Sequence, residues 1–371
     1  MKPIFVTRPN LPDLAELLPY LEQIWESRIL TNNGPFHREF EERLKNYLQV
    51  PFVSLIANGT LALIVALQAL RITGEVITTP FSFVATAHAL RWNGITPIFC
   101  DIDADTFTID PAKIEALITP RTTAILPVHV YGYPCHTEAI QDIADKYGLK
   151  VIYDAAHAFG VRRNGISVVS EGDASILSFH GTKLFTTFEG GAIVCKDEKL
   201  KKRIDYLRNF GFADEVTVVA PGINAKMNEF QSVVGILGLK IVHEEIANRK
   251  RVAEMYSSLL KDVPGISLPK QIPGVEHNHS YFPILIDEKS FGASREEVYH
   301  LLKQHHIFAR RYFYPLISNL PPYRDLPSAR KENLPIANRV AEQVLCLPMY
   351  GSLTKEEIER ICTIIVSLKK P

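Results

Sequence analysis

The chain has 371 residues, 46% of them hydrophobic, and its 41 basic side chains balance its 41 acidic ones. This balance argues against a nucleic-acid-binding or membrane-surface protein, and no apolar run reaches the length of a membrane span. Five cysteines without C-x-x-C spacing predict neither disulfides nor a metal site. Because the amino terminus also lacks the apolar core of a signal peptide, we expect a cytoplasmic location.

From about residue 55 to residue 194, apolar strand patterns alternate with helical patterns. The predicted strands are Val53–Ala57, Glu75–Thr79, Thr96–Asp101, Thr123–His129, Leu149–Asp154, Ala174–Phe179 and Ala192–Cys195. The predicted helices are Leu61–Leu70, Val84–Trp92, Asp110–Leu117 and Thr137–Tyr147. Such alternation is typical of an α/β fold with a mainly parallel, buried sheet that is flanked by helices. Ligands of such folds bind at the carboxyl ends of the strands.

After about residue 240 the pattern changes to mixed strands and amphipathic helices. A charged helical stretch, Glu244–Leu260, is predicted to lead into a smaller unit. Its predicted strands are Ser280–Ile286 and Ile307–Phe313, and its predicted helices are Arg295–Gln304, Pro335–Cys346 and Thr354–Leu368. We therefore predict a large domain over residues 1–243 and a small C-terminal α+β domain over residues 244–371.

A lysine and an aspartate stand near the ends of two predicted strands. Asp154 ends the strand Leu149–Asp154, and Lys183 lies in the loop that follows Ala174–Phe179. A lysine amine can form a Schiff base with an aldehyde, and a buried carboxylate beside a pyridine nitrogen keeps that nitrogen protonated. Either residue alone is more often a surface lysine or a turn aspartate. Together in a crevice at the strand ends, they indicate pyridoxal phosphate.

A phosphate-binding turn is predicted further upstream. Gly59 and Thr60 lie between the predicted strand Val53–Ala57 and the predicted helix Leu61–Leu70. Free backbone N–H groups at a helix start bind an anion, and a glycine lets a phosphate approach the backbone closely. Such junctions are common, so the turn gains meaning only beside the lysine and the aspartate. The chain has no G-x-G-x-x-G after its first strand and no P-loop motif.

An ordered set of motifs, spread over nearly the whole chain, resembles a known family. The motifs are Leu30–Pro35, Asn58–Thr60, Thr79–Thr86, Pro127–Gly132, Asp154–Ala156, Gly172–Asp173, Ser178–Phe179, Lys183, Glu189–Gly191, Asn224–Glu229 and Leu347–Tyr350. They resemble the DegT/DnrJ/EryC1/StrS family of pyridoxal-phosphate-dependent aminotransferases, which act on nucleotide-linked keto sugars. The resemblance implies the fold-type I architecture and bound pyridoxal or pyridoxamine phosphate (PLP/PMP).

The resemblance also implies roles for the matching positions. Lys183 corresponds to the lysine that carries the cofactor and moves the proton, and Asp154 to the partner of the ring nitrogen. The implied phosphate ligands are Gly59, Thr60 and Ser178. Phe83 matches an aromatic residue that lies against the cofactor ring, with core packing as the other interpretation. Asn224 matches a loop that reaches the phosphate from the neighbouring subunit of a homodimer, with a turn asparagine as the other interpretation.

Two positions depart from the family pattern. His157 stands where most relatives have a glutamine, near the expected phenolic oxygen of the cofactor. A histidine can also donate a hydrogen bond there, but its protonation state becomes a variable. Ile317 stands where many relatives have a histidine, which leaves the local contact with the sugar open.

The resemblance implies amino transfer from L-glutamate to a nucleotide-linked keto-6-deoxy sugar. Residues 24–25, 29–35 and 178–191 look most like the branch that converts dTDP-4-keto-6-deoxy-D-glucose to dTDP-4-amino-4,6-dideoxyglucose for bacterial surface polysaccharide. Two alternatives stay open: a 3-keto-sugar aminotransferase of the same family, and a non-catalytic regulatory relative that binds the cofactor or a sugar nucleotide. A dehydratase branch with histidine in place of the lysine is disfavoured by Lys183, because His180 occupies a different position.

Overall fold

The computed structural model describes residues 2–369. Its helices are α1 Leu14–Ser27, α2 Pro35–Leu48, α3 Gly59–Ala69, α4 Ala85–Trp92, α5 Thr137–Tyr147, α6 Glu198–Leu207, α7 Glu229–Leu260, α8 Glu288–Phe291, α9 Arg295–Gln304, α10 Pro335–Gln343 and α11 Lys355–Ser367. Its strands are β1 Ile4–Phe5, β2 Phe52–Ile56, β3 Glu75–Thr78, β4 Thr96–Phe99, β5 Thr122–Leu126, β6 Lys150–Asp154, β7 Arg162–Arg163, β8 Ile166–Ser167, β9 Ala174–Ser178, β10 Gly191–Cys195, β11 Ile266–Ser267, β12 Val275–Glu276, β13 Phe282–Ile286, β14 Ile307–Phe308 and β15 Val344–Leu347.

A seven-stranded sheet forms the centre of the large α/β unit, with the order β2-β10-β9-β6-β5-β3-β4. Strand β10 runs antiparallel to both of its neighbours, whereas β9, β6, β5, β3 and β4 pair in parallel. The apolar strand runs of the sequence suit this arrangement, because helices cover both faces of the sheet. The predicted α/β fold with a mainly parallel sheet is thus confirmed.

Helix starts at the sheet follow local capping chemistry. The Asn58 side chain accepts a hydrogen bond from the Leu61 N–H at 2.9 Å, so helix α3 begins directly after β2. Helix α3 is apolar on nearly all sides because it lies between the sheet and helices α4 and α6. Helix α7 starts with a capping box between Asn228 and Gln231. The Asn58 cap, directly after β2, thus marks the start of α3 at the carboxyl edge of the parallel strands.

The smaller C-terminal unit packs against the end of helix α7. Strands β11, β13 and β15 form an antiparallel sheet, and helices α9 and α11 contribute to the same apolar core as the residues from Val252 to Leu260. Strand β1 pairs in parallel with β14, which joins the amino-terminal segment to this unit. The predicted domain boundary between residues 243 and 244 lies inside the 32-residue helix α7, and the division into two domains stays a prediction.

Several predicted elements differ from the structure in their bounds, and three of them differ more strongly. The predicted helix Pro335–Cys346 ends at Gln343, because the apolar run Val344–Leu347 pairs with β13 instead. The predicted helix Asp110–Leu117 consists of two short 3-10 helices, Pro111–Lys113 and Glu115–Leu117. The predicted strand Ile307–Phe313 is regular only over β14, and Arg310 continues with an isolated bridge to Cys346. Within residues 2–369, no helix combines the length and the apolar character that a membrane crossing requires.

Candidate active site

Asp154 is the last residue of β6 and is buried at the carboxyl edge of the sheet. Its Oδ2 accepts a hydrogen bond from the Thr86 hydroxyl at 2.8 Å, and its Oδ1 accepts one from the Ala156 N–H at 3.1 Å. The Ser82 hydroxyl lies 2.9 Å from the Thr86 hydroxyl. Burial raises the pKa of Asp154, while the two hydrogen bonds and the charge of Lys183 oppose that rise. The carboxylate is therefore oriented by groups that stabilise its charge.

Lys183 lies in the loop between β9 and β10. Its neighbours Leu184 and Phe185 are buried, and the Phe185 ring stacks on the Phe159 ring with centroids 4.3 Å apart. These two side chains anchor the loop in the core below the lysine. Burial lowers the pKa of the Lys183 amine to about 8, against the opposing effect of the Asp154 charge. An amine with this pKa is uncharged often enough near neutral pH to act as a nucleophile and as a base.

The structure brings Lys183, Asp154 and His157 together. The positive charge of Lys183 lowers the pKa of the Asp154 carboxyl and also that of the His157 imidazole. Asp173 is another carboxylate close to a strand, but it lies at the opposite end of β6 from Asp154. It forms an ion pair with Lys150 at 2.7 Å and accepts the N–H of Val151 at 2.9 Å, which places it at the start of β6 rather than at its end. Asp154 is thus the carboxylate at the same edge of the sheet as the loop that carries Lys183, because β6 and β9 are parallel neighbours.

A cradle for an anion lies where helix α3 begins. A Cβ atom placed on Gly59 would lie 2.8 Å from the Cβ and 3.0 Å from the Oγ of Ser178, the last residue of β9, so only glycine fits here. The N–H groups of Gly59 and Thr60 belong to the first helical turn, where no intrahelical acceptor exists. Gly59 is buried and Thr60 is exposed. Two helix-start amides and a strand-end hydroxyl suit a phosphate group.

The His157 imidazole is buried and fixed as a neutral ring. Its Nδ1 accepts the Tyr131 N–H at 3.2 Å, so its Nε2 carries the proton. The ring stacks on Phe313, with centroids 5.7 Å apart, and meets the edge of Tyr281 at 4.9 Å. Burial, and then the Lys183 charge, lower the pKa of His157 well below its ordinary value. The protonation state that the sequence left variable is therefore neutral, with Nε2–H as a donor.

Phe83 is not a core residue. Its side chain is 56% exposed in the segment that leads into α4, whereas the neighbouring Phe81 is completely buried. Core packing therefore does not explain Phe83, and an exposed aromatic ring three residues before Thr86 suits a stacked ligand ring. Ile317, the other departure from the family pattern, is a buried residue of the aromatic cluster that contains Phe81.

Asn224 is exposed and lies away from the core of its own chain. It forms an isolated backbone bridge with Asn209, and the carbonyl of the next residue, Ala225, accepts the N–H of Ala57 at 2.8 Å. The segment therefore passes close to the end of β2 while the asparagine side chain stays at the surface. An open cavity of about 490 Å³ borders Asn209 and Lys226.

Nearly the whole chain matches a family of known proteins. Residues 13–366 match the DegT/DnrJ/EryC1/StrS aminotransferase family. This chain belongs to that aminotransferase family. It is 55% identical over 98% of both chains to an Escherichia coli protein named dTDP-4-amino-4,6-dideoxy-D-glucose transaminase. It is 50% identical to a Shigella dysenteriae protein of the same name, over 99% of this chain and 100% of the relative.

Solved structures agree with this assignment. DesI, crystallised in the presence of its TDP-sugar product, is 39% identical and superposes with a TM-score of 0.95, covering 99% of this chain and 93% of DesI. Helicobacter pylori PseC, an aminotransferase involved in the biosynthesis of pseudoaminic acid, is 28% identical, with a TM-score of 0.91 and 99% coverage of both chains. The chain is an aminotransferase, and its cofactor is pyridoxal phosphate.

The arrangement of the described residues fits this cofactor. The free N–H groups of Gly59 and Thr60 and the Ser178 hydroxyl suit the phosphate, and the buried Asp154 carboxylate suits a protonated ring nitrogen. The Lys183 amine suits an aldehyde carbon. Within residues 2–369, no group of three or more His, Cys, Asp or Glu side chains is arranged to hold a metal ion.

Sequence reasoning missed several residues that complete this site. The hydroxyls of Thr86 and Ser82 support Asp154. Both residues belong to the motif Thr79–Thr86, whose similarity to the family assigned them no role. Ser82 lies just before the predicted helix and Thr86 lies in its first turn, four residues later. This spacing is the sequence signal that could have indicated their contact. Phe313 and Tyr131, which hold His157, come from distant parts of the chain and carry no local signal.

Proposed function

We propose that this aminotransferase moves an amino group from L-glutamate to dTDP-4-keto-6-deoxy-D-glucose and forms dTDP-4-amino-4,6-dideoxyglucose. The observation that carries the proposal is the 55% identity, over 98% of both chains, to a relative named for that amino sugar. The DesI structure, with its TDP-sugar product and a TM-score of 0.95, supports a nucleotide-linked substrate. We place the reaction in the cytoplasm, where its product serves the synthesis of bacterial surface polysaccharide.

Lys183 is proposed as the catalytic residue. When bound, the cofactor supplies an electron-withdrawing ring that stabilises the negative charge left by a departing proton. With a pKa lowered to about 8, Lys183 has an uncharged fraction that can take the proton from the α-carbon of glutamate. In the second half of the reaction, the same Nζ delivers a proton to the sugar carbon that receives the nitrogen. An arginine could not exchange protons in this way.

Asp154 and His157 are proposed as the residues that tune the cofactor ring. Thr86 and the Ala156 N–H orient the Asp154 carboxylate, whose negative charge favours a protonated ring nitrogen. The Nε2–H of His157 is a donor for the phenolic oxygen. Because burial keeps this imidazole neutral, it donates without adding a positive charge to the site. Phe83, with its open aromatic face, is proposed to stack on the ring.

The phosphate ligands are proposed to come from two subunits of a homodimer. Gly59, Thr60 and Ser178 form the cradle of one chain, and Asn224 is proposed to reach the phosphate from the partner. Apolar side chains are exposed along the Asn224 segment and beside it, which suits a subunit interface. They are Phe188, Phe210, Phe212, Val216, Val218, Val219, Ile223 and Phe230.

The test is an assay of the purified enzyme with L-glutamate and a panel of keto sugars. The panel contains dTDP-4-keto-6-deoxyglucose, a 3-keto isomer and a GDP-linked 4-keto-6-deoxy sugar, because three relatives at 30–33% identity are named GDP-perosamine synthase. We expect kcat/KM to be highest for the first sugar, with one 2-oxoglutarate formed per amino sugar, and Lys183→Ala to be inactive. Higher activity on the 3-keto or GDP-linked sugar would reassign the substrate.

If no keto sugar of the panel is aminated, the result favours a non-catalytic role for the protein. One relative, 33% identical, is named pleiotropic regulatory protein. If the wild-type chain binds pyridoxal phosphate but aminates no keto sugar of the panel, the proposed function fails and a binding role is favoured. The Lys183 and Asp154 arrangement supports turnover instead, because a binding protein needs no lysine with a pKa near 8 beside a buried carboxylate.

A further inference from the structure

The backbone of His157 is fixed by a segment from the C-terminal part of the chain. This segment, residues 277–281, forms a strap over the backbone of His157. The carbonyl oxygen of His157 accepts two hydrogen bonds from it, one from Asn278 Nδ2 at 2.8 Å and one from Ser280 Oγ at 3.0 Å. Asn278 Nδ2 also donates to the Phe159 carbonyl at 2.9 Å. Both lone pairs of the His157 carbonyl are therefore used by strap side chains.

The strap itself is rigidly supported. Asn278 is completely buried, and its Oδ1 accepts the Ser280 N–H at 3.1 Å, so the amide uses both of its ends. The Ser280 carbonyl accepts a hydrogen bond from the buried Arg249 at 3.3 Å, and Arg249 pairs with Glu245 at 2.6 Å. Both of these charged residues lie on helix α7. Asn278, Ser280, Arg249 and Glu245 each have a partner in this buried polar network, which favours a single geometry, whereas the buried Nε2 of the strap residue His277 has none.

The strap can approach this closely because Gly132 lies opposite it. Gly132 has a φ of +94°, and a Cβ there would lie 2.7 Å from Asn278 Oδ1 and 3.1 Å from the His157 carbonyl oxygen. The residue before it, Tyr131, donates its N–H to His157 Nδ1. The strap residue Tyr281 also contacts the imidazole with its ring, at 4.9 Å. Backbone and side chain of His157 are thus positioned together.

We propose that Asn278 and Ser280 are positioning residues for the cofactor site, acting through His157. Their hydrogen bonds fix the backbone carbonyl of His157 and therefore the position of its imidazole. In this position, the imidazole Nδ1 accepts the Tyr131 N–H, and the Nε2–H can donate to the phenolic oxygen of pyridoxal phosphate. This proposal rests on the role proposed above for His157. It assigns a function in cofactor binding to a strap that comes from the C-terminal part of the chain.

The test uses purified holoenzyme and two readouts that need no sugar substrate. These are the dissociation constant for pyridoxal phosphate and the visible absorbance of the bound cofactor between pH 6 and pH 9. We expect Asn278→Ala to raise the dissociation constant about tenfold, and Ser280→Ala about threefold, because each leaves a buried carbonyl with fewer donors. Both variants should also shift the pH dependence of the absorbance.

Matched controls separate positioning from a general loss of stability. Asn338 is a buried asparagine that donates to the Leu334 carbonyl in helix α10, and Ser175 is a buried serine that donates to the Glu171 carbonyl at the start of β9. We expect Asn338→Ala and Ser175→Ala to change the dissociation constant less than about twofold and to leave the absorbance unchanged, since neither touches His157.

A double-mutant cycle decides whether the strap acts through His157. In a His157→Ala background, Asn278→Ala is expected to change the dissociation constant less than about twofold. The same tenfold loss in both backgrounds, or no loss in the wild-type background, would overturn the proposal. If Asn278→Ala does not fold, Ser280→Ala in the two backgrounds gives the same decision. Failure of the sugar assay leaves these cofactor readouts unaffected, so the two proposals fail separately.

Discussion

Replacing Lys183 with methionine is expected to stabilise the cofactor-free protein at neutral pH while abolishing transamination. Below pH 8 the folded protein buries a positive charge on this amine, whereas the unfolded chain keeps that charge in water. The lowering of the pKa from 10.5 to about 8 corresponds to a penalty of at most about 3 kcal/mol. Methionine fills a similar space without a charge, so it removes this penalty.

The gain should depend on pH in a defined way. Between pH 8 and pH 10.5 the unfolded chain binds a proton at Lys183 that the folded protein has released, so the stability of the wild-type protein rises with pH in this window. The advantage of Lys183→Met in the free energy of unfolding is therefore at most about 3 kcal/mol at pH 7 and falls toward zero near pH 10.5.

Urea denaturation followed by circular dichroism, at pH 7, 8.5 and 10, measures this difference. The control is Lys331→Met, because the Lys331 side chain is 73% exposed and its replacement should give no such pH dependence. A Lys183→Met protein that is less stable than the wild-type protein at pH 7, or whose advantage is the same at pH 7 and pH 10, would contradict a buried charge on Lys183.

Three further predictions concern the cofactor and the assembly. Asp154→Asn should lower kcat/KM by several orders of magnitude while circular dichroism shows an unchanged fold, because the ring nitrogen loses its charged partner. Gly59→Ala should weaken cofactor binding in an absorbance titration, since its Cβ meets Ser178 at 2.8 Å, whereas Gly181→Ala, with its closest contact at 3.6 Å, should not. Mixed dimers of Lys183→Ala and Asn224→Ala chains should regain activity, because one of their two sites carries neither change.

Each of these predictions has a contradicting outcome. Near-normal turnover of Asp154→Asn would move the ring-nitrogen role to another carboxylate, and Asp173→Asn, which should keep its activity, is the matched control. Equal cofactor affinities of the two glycine variants would show that the phosphate does not bind at the start of α3. Mixed dimers that form but stay as inactive as the parent proteins would refute the shared site and the proposed role of Asn224.

The pairing of Lys183 with Asp154 could be predicted because it depends on strand order alone. Strands β6 and β9 are parallel neighbours, so their carboxyl ends lie at the same edge of the sheet. Asp154 ends one strand, and the loop that carries Lys183 follows the other. Local patterns in the sequence predict both strands, and in an α/β fold the carboxyl ends of parallel strands form the ligand-binding edge of the sheet.

The residues that support this pair could not be predicted, because they come from distant segments. The Asn278 side chain reaches the His157 carbonyl from the C-terminal part of the chain, and no periodic pattern links the two positions. The ring of Phe313 on His157 is a similar case. Local propensity also misled at Val344–Leu347, where pairing with β13 prevails over the continuation of helix α10.

Borohydride treatment of the purified holoenzyme, followed by peptide mass mapping, shows directly whether Lys183 carries pyridoxal phosphate. Reduction fixes pyridoxal phosphate to the amine that carries it and abolishes the visible absorbance. We expect the added mass to lie on the peptide that contains Lys183, and we expect Lys183→Ala to take up no fixed cofactor. Modification of a different lysine, or label that persists in the Lys183→Ala protein, would contradict it.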